Sequence, residues 1–152
     1  YVNLNEKTWT IPAQEMKMGY LHQIALNTYA IDILNEQKNF CIMDNGFVFP
    51  AFNKEGHIHK DSLNKAIIKL NGGKYKGLAT SHGFRATFRT ICSRNKADLL
   101  KIGISDEVIE TALAHKESDM IKFAYERSKS TKEQLENLMQ WYGDYLNRLE
   151  PF

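Results

Sequence analysis

The chain predicts a mainly α domain with a small antiparallel β-sheet, an α+β fold. Apolar residues recur at helical spacing over most of the length. Alternation of apolar with polar residues, in β-forming company, is confined to short stretches in the first third. With 152 residues and no internal repeat, low-complexity tract or linker, residues 1–152 read as one domain with its own core.

Thr8-Trp9-Thr10-Ile11-Pro12 and Leu21-His22-Gln23-Ile24-Ala25-Leu26 alternate and read as two strands, connected through Met16-Lys17-Met18-Gly19. Asn27 or Thr28 can cap a helix running to about Lys38, with Ala30, Ile31, Ile33 and Leu34 buried. Gly46-Phe47-Val48-Phe49-Pro50 reads as a further short strand, ended by its proline, and the sheet is expected to have three strands. Asn53 to Lys60 is a polar loop. Ser62 begins a helix with Leu63, Ala66, Ile67 and Leu70 on one face, stopped by Asn71-Gly72-Gly73. The next starts at Thr80 or Ser81 and carries His82 and Arg85 in its first turn. A fourth follows Ser105 and turns Val108, Ile109, Ala112 and Leu113 inward. A fifth carries Ile121, Ala124 and Tyr125. The last opens on Ser130-Thr131-Lys132-Glu133, a capping-box pattern. Its apolar stripe is Leu135, Leu138, Met139, Tyr142, Tyr145, Leu146 and Leu149.

Composition is that of an ordinary soluble globular protein. No apolar run approaches the length of a membrane span, and no secretory signal opens the chain. Cys41 and Cys92 lack metal-ligand spacing and read as reduced core thiols of a cytoplasmic protein. Net charge is only +2, but residues 54 to 101 are rich in Lys and Arg, add three histidines and hold few carboxylates. That stretch is either a solvated lysine-rich surface or a basic face that meets phosphates. His57-Ile58-His59 has metal-like spacing without a nearby third ligand, so it reads as polar loop. The carboxylates are scattered, with no pairing suited to a metal nuclease. No metal or organic cofactor is expected.

The chemistry-bearing residues stand in Ser81-His82-Gly83-Phe84-Arg85, Leu113-Ala114-His115 and Tyr125. His82 and Arg85 are three apart and share a helix face. A helix N-terminus attracts anions through its unpaired N–H groups and dipole, and a guanidinium fork fits two phosphate oxygens. Each residue alone is commonplace. Two histidines, an arginine and a tyrosine in this order could together supply cationic clamps, a proton acceptor and a hydroxyl nucleophile for attack on a phosphodiester. A free tyrosine is only about one part in a thousand ionised at neutral pH, so it needs such neighbours.

This wording resembles the catalytic domain of the tyrosine recombinases, the phage-integrase family, in its prophage and genomic-island branch. The likeness runs from Trp9-Thr10-Ile11-Pro12-Ala13 through Met16-Lys17-Met18, Val48-Phe49-Pro50 and His82-Gly83-Phe84-Arg85-Ala86-Thr87-Phe88 to Tyr142-Gly143-Asp144-Tyr145-Leu146. It implies a tyrosine-recombinase catalytic-domain fold and a DNA strand-exchange activity. Tyr125 matches the nucleophile, which leaves a 3′-phosphotyrosyl link and a free 5′-hydroxyl. His82 matches the general base. Arg85 and His115 match groups that contact the non-bridging oxygens, and Lys17 matches the lysine that protonates the leaving 5′-oxygen. Ala114 stands where many members have glycine. The family has another catalytic arginine upstream of the sheet, and no other arginine here has that context, so a partial site in an N-terminally truncated domain is expected.

The resemblance also implies partners: double-stranded DNA attachment sites, a homotetramer on DNA, possible accessory DNA-bending proteins, and no membrane. It implies a bacterial or phage-encoded protein of the cytoplasm. The last helix is expected to pack on its own domain or on another copy. Two other readings share these residues. One is a catalytically inactive DNA-binding remnant of an integrase, and the other a topoisomerase of the related tyrosine type.

Overall fold

A computed structural model of the chain describes residues 1–17, 19–41, 45–114 and 129–149, the last stretch with its side chains from 132 onward. His115, Tyr125 and the helix expected around Ile121 and Ala124 lie outside the described residues, as do the first side chains of the expected capping box. Among the described residues the strands are β1 (Val2–Asn3), β2 (Thr8–Ile11) and β3 (His22–Ala25). The helices are α1 (Thr28–Phe40), α2 (Ser62–Lys69), α3 (Gly83–Arg94), α4 (Lys96–Lys101), α5 (Asp106–Ala112) and α6 (Lys129–Asn147). The fold is α+β, with one three-stranded antiparallel sheet in the order β1-β2-β3. The chain groups into two compact units, residues 1–31 with 92–152, and residues 32–91.

In the first unit, β2 and β3 pair with Thr8 opposite Ala25 and Trp9 opposite Ile24. Side chains alternate across a strand, so buried Thr8 and Ala25 share the inner face while Trp9 is exposed on the other. Asn27 caps α1 by accepting the Ala30 N–H at 2.8 Å, and its amide donates to the Met139 carbonyl of α6 at 3.0 Å. Gln140 clasps the same corner. It accepts the Thr28 N–H at 3.0 Å and donates to the Thr28 hydroxyl at 3.1 Å. α6 packs on β3 and α5 of its own unit. The core there is Cys92, Leu99, Ile104, Ile109 and Leu138, all fully buried, with Val108 and Leu113 beside them. Of the residues expected to face inward there, Val108, Ile109 and Leu113 are buried and Ala112 is half-buried. The stripe of α6 is covered only in part, because Leu146 sits in its last turn and Leu149 lies past its end, both exposed.

The second unit departs further from expectation. The third strand of the sheet is β1, and Gly46–Pro50 forms only a lone bridge between Pro50 and His57. Across that bridge the Ala51 N–H bonds Gly56 O at 3.1 Å and the Ile58 N–H bonds Phe49 O at 3.0 Å, and the side-chain amides of Asn45 and Asn53 donate to Gly56 O and His57 O, each at 2.8 Å. None of the α1 residues expected to be buried is fully so: Ile33 is exposed, at 62%, and Ala30, Ile31 and Leu34 are half-buried. Leu63, at 52%, and Leu70, at 55%, are exposed as well. Leu70 belongs to a 3₁₀ turn, not to α2, so it leaves the face that Ile67 buries. The stop after α2 is where the sequence puts it, with Asn71 and Gly72 at φ 51° and 66°. Cys41 is half-buried, not a core thiol, and its Sγ points to Phe47 O at 3.7 Å. Helix α3 begins at Gly83, later than expected, and in the first unit a separate α4 follows a break at Asn95 that no proline or glycine announces.

Candidate active site

His82 and Arg85 are brought together at the head of α3. Thr80 caps this end: its Oγ1 accepts the Gly83 N–H at 3.0 Å. His82 thus sits in the turn just before the helix, and Arg85 in the first turn, with the Arg85 N–H on His82 O at 3.2 Å. Both side chains are exposed. Further along α3, Phe88 and Cys92 are buried.

A second tie was not legible in the sequence. The Ser81 N–H donates to Asn64 Oδ1 at 2.8 Å in a partly buried setting. Asn64 lies on α2, seventeen residues earlier. An asparagine among lysines in a short helix carries no signal of such a role.

Lys17 belongs to the first unit, in the connection between β2 and β3. It is exposed, just after a 3₁₀ turn over Ala13–Glu15. The Tyr1 hydroxyl steadies that turn by donating to Glu15 Oε1 at 2.6 Å. His82 and Arg85 belong to the second unit. His115 and Tyr125 lie outside the described residues, but the residue before His115 does not. Ala114 has φ 49°, in the left-handed region. Its N–H bonds Thr111 O at 3.0 Å, closing α5. Glycine suits a position of this kind, which gives the alanine-for-glycine departure a physical meaning.

The other tyrosines near the end of the chain read as packing groups. Burial pushes the Tyr142 phenol above its ordinary range, with Cys92 and Tyr145 adding to the effect. A nucleophile needs the opposite. Tyr145 stacks on Trp141 at 5.6 Å. The histidines of the 57–59 loop have local partners: His57 Nδ1 lies 2.9 Å from Ile58 O, and His59 Nδ1 3.4 Å from Asp61 Oδ2. Among the described residues no helix is long and apolar enough to cross a membrane.

His82 and Arg85 offer an imidazole and a guanidinium within four residues, a pair whose chemistry suits an anion. Comparison with known proteins gives the family. The model of the phage integrase family matches residues 1–132. The chain is 32% identical over 146 residues to prophage integrase IntA of Escherichia coli K12, covering 94% of this chain and 32% of that protein. It is 29% identical to prophage integrase IntZ of the same strain over 149 residues, 98% of this chain and 34% of that one. To the integrase of enterobacteria phage P4 it is 25% identical over 158 residues, 95% of this chain and 34% of that one. It spans about a third of the length of these curated relatives. No solved structure matches the chain.

Proposed function

The chain belongs to the phage integrase family, and from that premise we propose that it carries the strand-cutting site of a tyrosine-type site-specific recombinase. The DNA substrate is a duplex attachment site, and the outcome is integration or excision of a prophage or genomic island. The observation that supports this most is the exposed His82 and Arg85 pair at the capped head of α3.

In the proposed step the Tyr125 oxygen attacks phosphorus and a phosphotyrosyl bond forms. The bond from phosphorus to the 5′-oxygen breaks. His82 accepts the phenol proton, and the Lys17 ammonium gives a proton to the leaving 5′-oxygen. Arg85 and His115 donate to the non-bridging oxygens, where charge grows. Attack by the 5′-hydroxyl of another strand reverses every bond change, so the ester energy is kept. No other arginine of the 152 residues stands in the context of the family's second clamp, so we place that group outside residues 1–152. We further propose that the enzyme works as a tetramer on two DNA sites.

Arg85→Ala tests the clamp. In the whole gene product, on a nicked duplex that traps the covalent intermediate, the variant is expected to form adduct about 10²–10³-fold more slowly than the wild type. DNA affinity should stay nearly unchanged, since it rests on many lysines and arginines. Equal adduct rates in the two proteins would remove Arg85 from the site. A wild type that binds DNA and never forms adduct would instead favour the inactive remnant.

A further inference from the structure

We propose that Asn64 is a positioning residue for His82 and, through it, for the phosphoryl-transfer step; the inference rests on the function proposed above. His82 is bracketed by two backbone donors that are both tied down. On one side the Ser81 N–H bonds Asn64 Oδ1 at 2.8 Å, and on the other the Gly83 N–H bonds Thr80 Oγ1 at 3.0 Å.

The two ties do different things. Thr80 is local, three residues from its partner, so it moves with the turn and sets only its shape. Asn64 is on another helix, seventeen residues away, so it sets where the turn sits within the unit. It has a firm base to do so. Asn64 and Ile67 are three apart on α2 and share a face, and Ile67 is 5% exposed, one of two well-buried apolar side chains described in this unit. Leu63 and Lys65, on either side, are exposed. A half-buried amide on the inward face of a short helix thus offers its oxygen to the one backbone group that leads into the catalytic turn.

A general base must lie within hydrogen-bond reach of its proton, and displacement of about 1 Å can cost roughly 100-fold in rate. Loss of the Asn64 acceptor should therefore slow cleavage more than it weakens binding. The test uses the whole gene product on a nicked duplex at saturating concentration, with single-turnover adduct formation, DNA affinity, thermal midpoint and exchange of the Ser81 amide as readouts. Asn64→Ala is expected to lower the cleavage rate about 10–100-fold. Affinity should stay within about 2-fold and the Ser81 amide should exchange faster. Asn64→Asp keeps an acceptor oxygen at the same reach, so it should restore most of the rate and protect the amide. Saturation removes the effect of its charge on affinity.

An Asn64→Ala protein that cleaves at the wild-type rate, or that loses affinity in proportion to rate, overturns the proposal. So does an Asn64→Asp protein as slow as Asn64→Ala. In those outcomes the wild type still forms its Tyr125 adduct and the functional reading stands. A wild type that forms no adduct overturns the reading and this inference with it.

Discussion

Ala114 holds a left-handed φ of 49° one residue before His115. For a residue with a Cβ that conformation costs about 1–2 kcal/mol, and only glycine adopts it freely. The chain tolerates the cost because the Ala114 N–H closes α5 on Thr111 O and buried Leu113 fixes the preceding residue. Ala114→Gly should then stabilise the protein by about 1 kcal/mol, a thermal midpoint roughly 2–4 °C higher for a chain of this size. A lower midpoint would show that the alanine is not strained. Strain beside a site residue was only half legible in the sequence. The family likeness marked Ala114 as a departure, but the sign of its φ comes from how α5 ends. That His82 and Arg85 stand close along the chain was legible, but the sequence put both in the first turn, whereas α3 begins at Gly83 and leaves His82 in the turn before it. Asn64 was not legible, since its bond spans seventeen residues and nothing near it points to Ser81.

The elements show the same division between local and distant causes. β2, β3 and α5 were readable because their alternation or helical spacing is complete within the element. β1 was not, since a strand of two residues has no period, and its pairing with Trp9 and Thr8 is what makes it a strand. Gly46–Pro50 has the residues of a strand but pairs only at the Pro50–His57 bridge, where proline has no N–H to carry a ladder further. The most consequential contact between elements lies where α6 meets the start of α1. A Cβ on Gly143 would fall 2.6 Å from Asn27 Nδ2 and 2.9 Å from Tyr29 Cδ2. Asn27 cannot swing aside cheaply, because it caps α1 and bonds Met139 O at once. Gly143→Ala gains about 1 kcal/mol of helix propensity and loses roughly 2–3 kcal/mol to overpacking and the disturbed cap together. Net destabilisation of about 1–2 kcal/mol is expected in denaturant unfolding. The loss should shrink in an Asn27→Ala background, where most of the obstruction is gone. A neutral or stabilising Gly143→Ala would mean that α1 and α6 do not approach this closely.

At the scale of the whole molecule, the helical class and the phage integrase family were both legible from sequence, because they rest on patterns spread along the chain. How completely each face is covered was not. Helical spacing marks which side of α1 or α2 is apolar, yet Ile33, Leu63 and Leu70 are exposed. Spacing says nothing about what lies opposite. The proposed chemistry likewise depends on groups far apart in sequence, Lys17 at one end and Tyr125 near the other, that must act on one phosphate. The measurement that tests this most directly is trapping of covalent protein–DNA adduct on a nicked duplex spanning the element's junction, comparing the whole gene product with its Tyr125→Phe variant. A 3′-linked adduct is expected in the wild type. None is expected in Tyr125→Phe, which should bind DNA nearly as well because only the nucleophilic oxygen is gone. An adduct that survives in Tyr125→Phe would contradict the account, as would DNA binding by the wild type with no adduct at all.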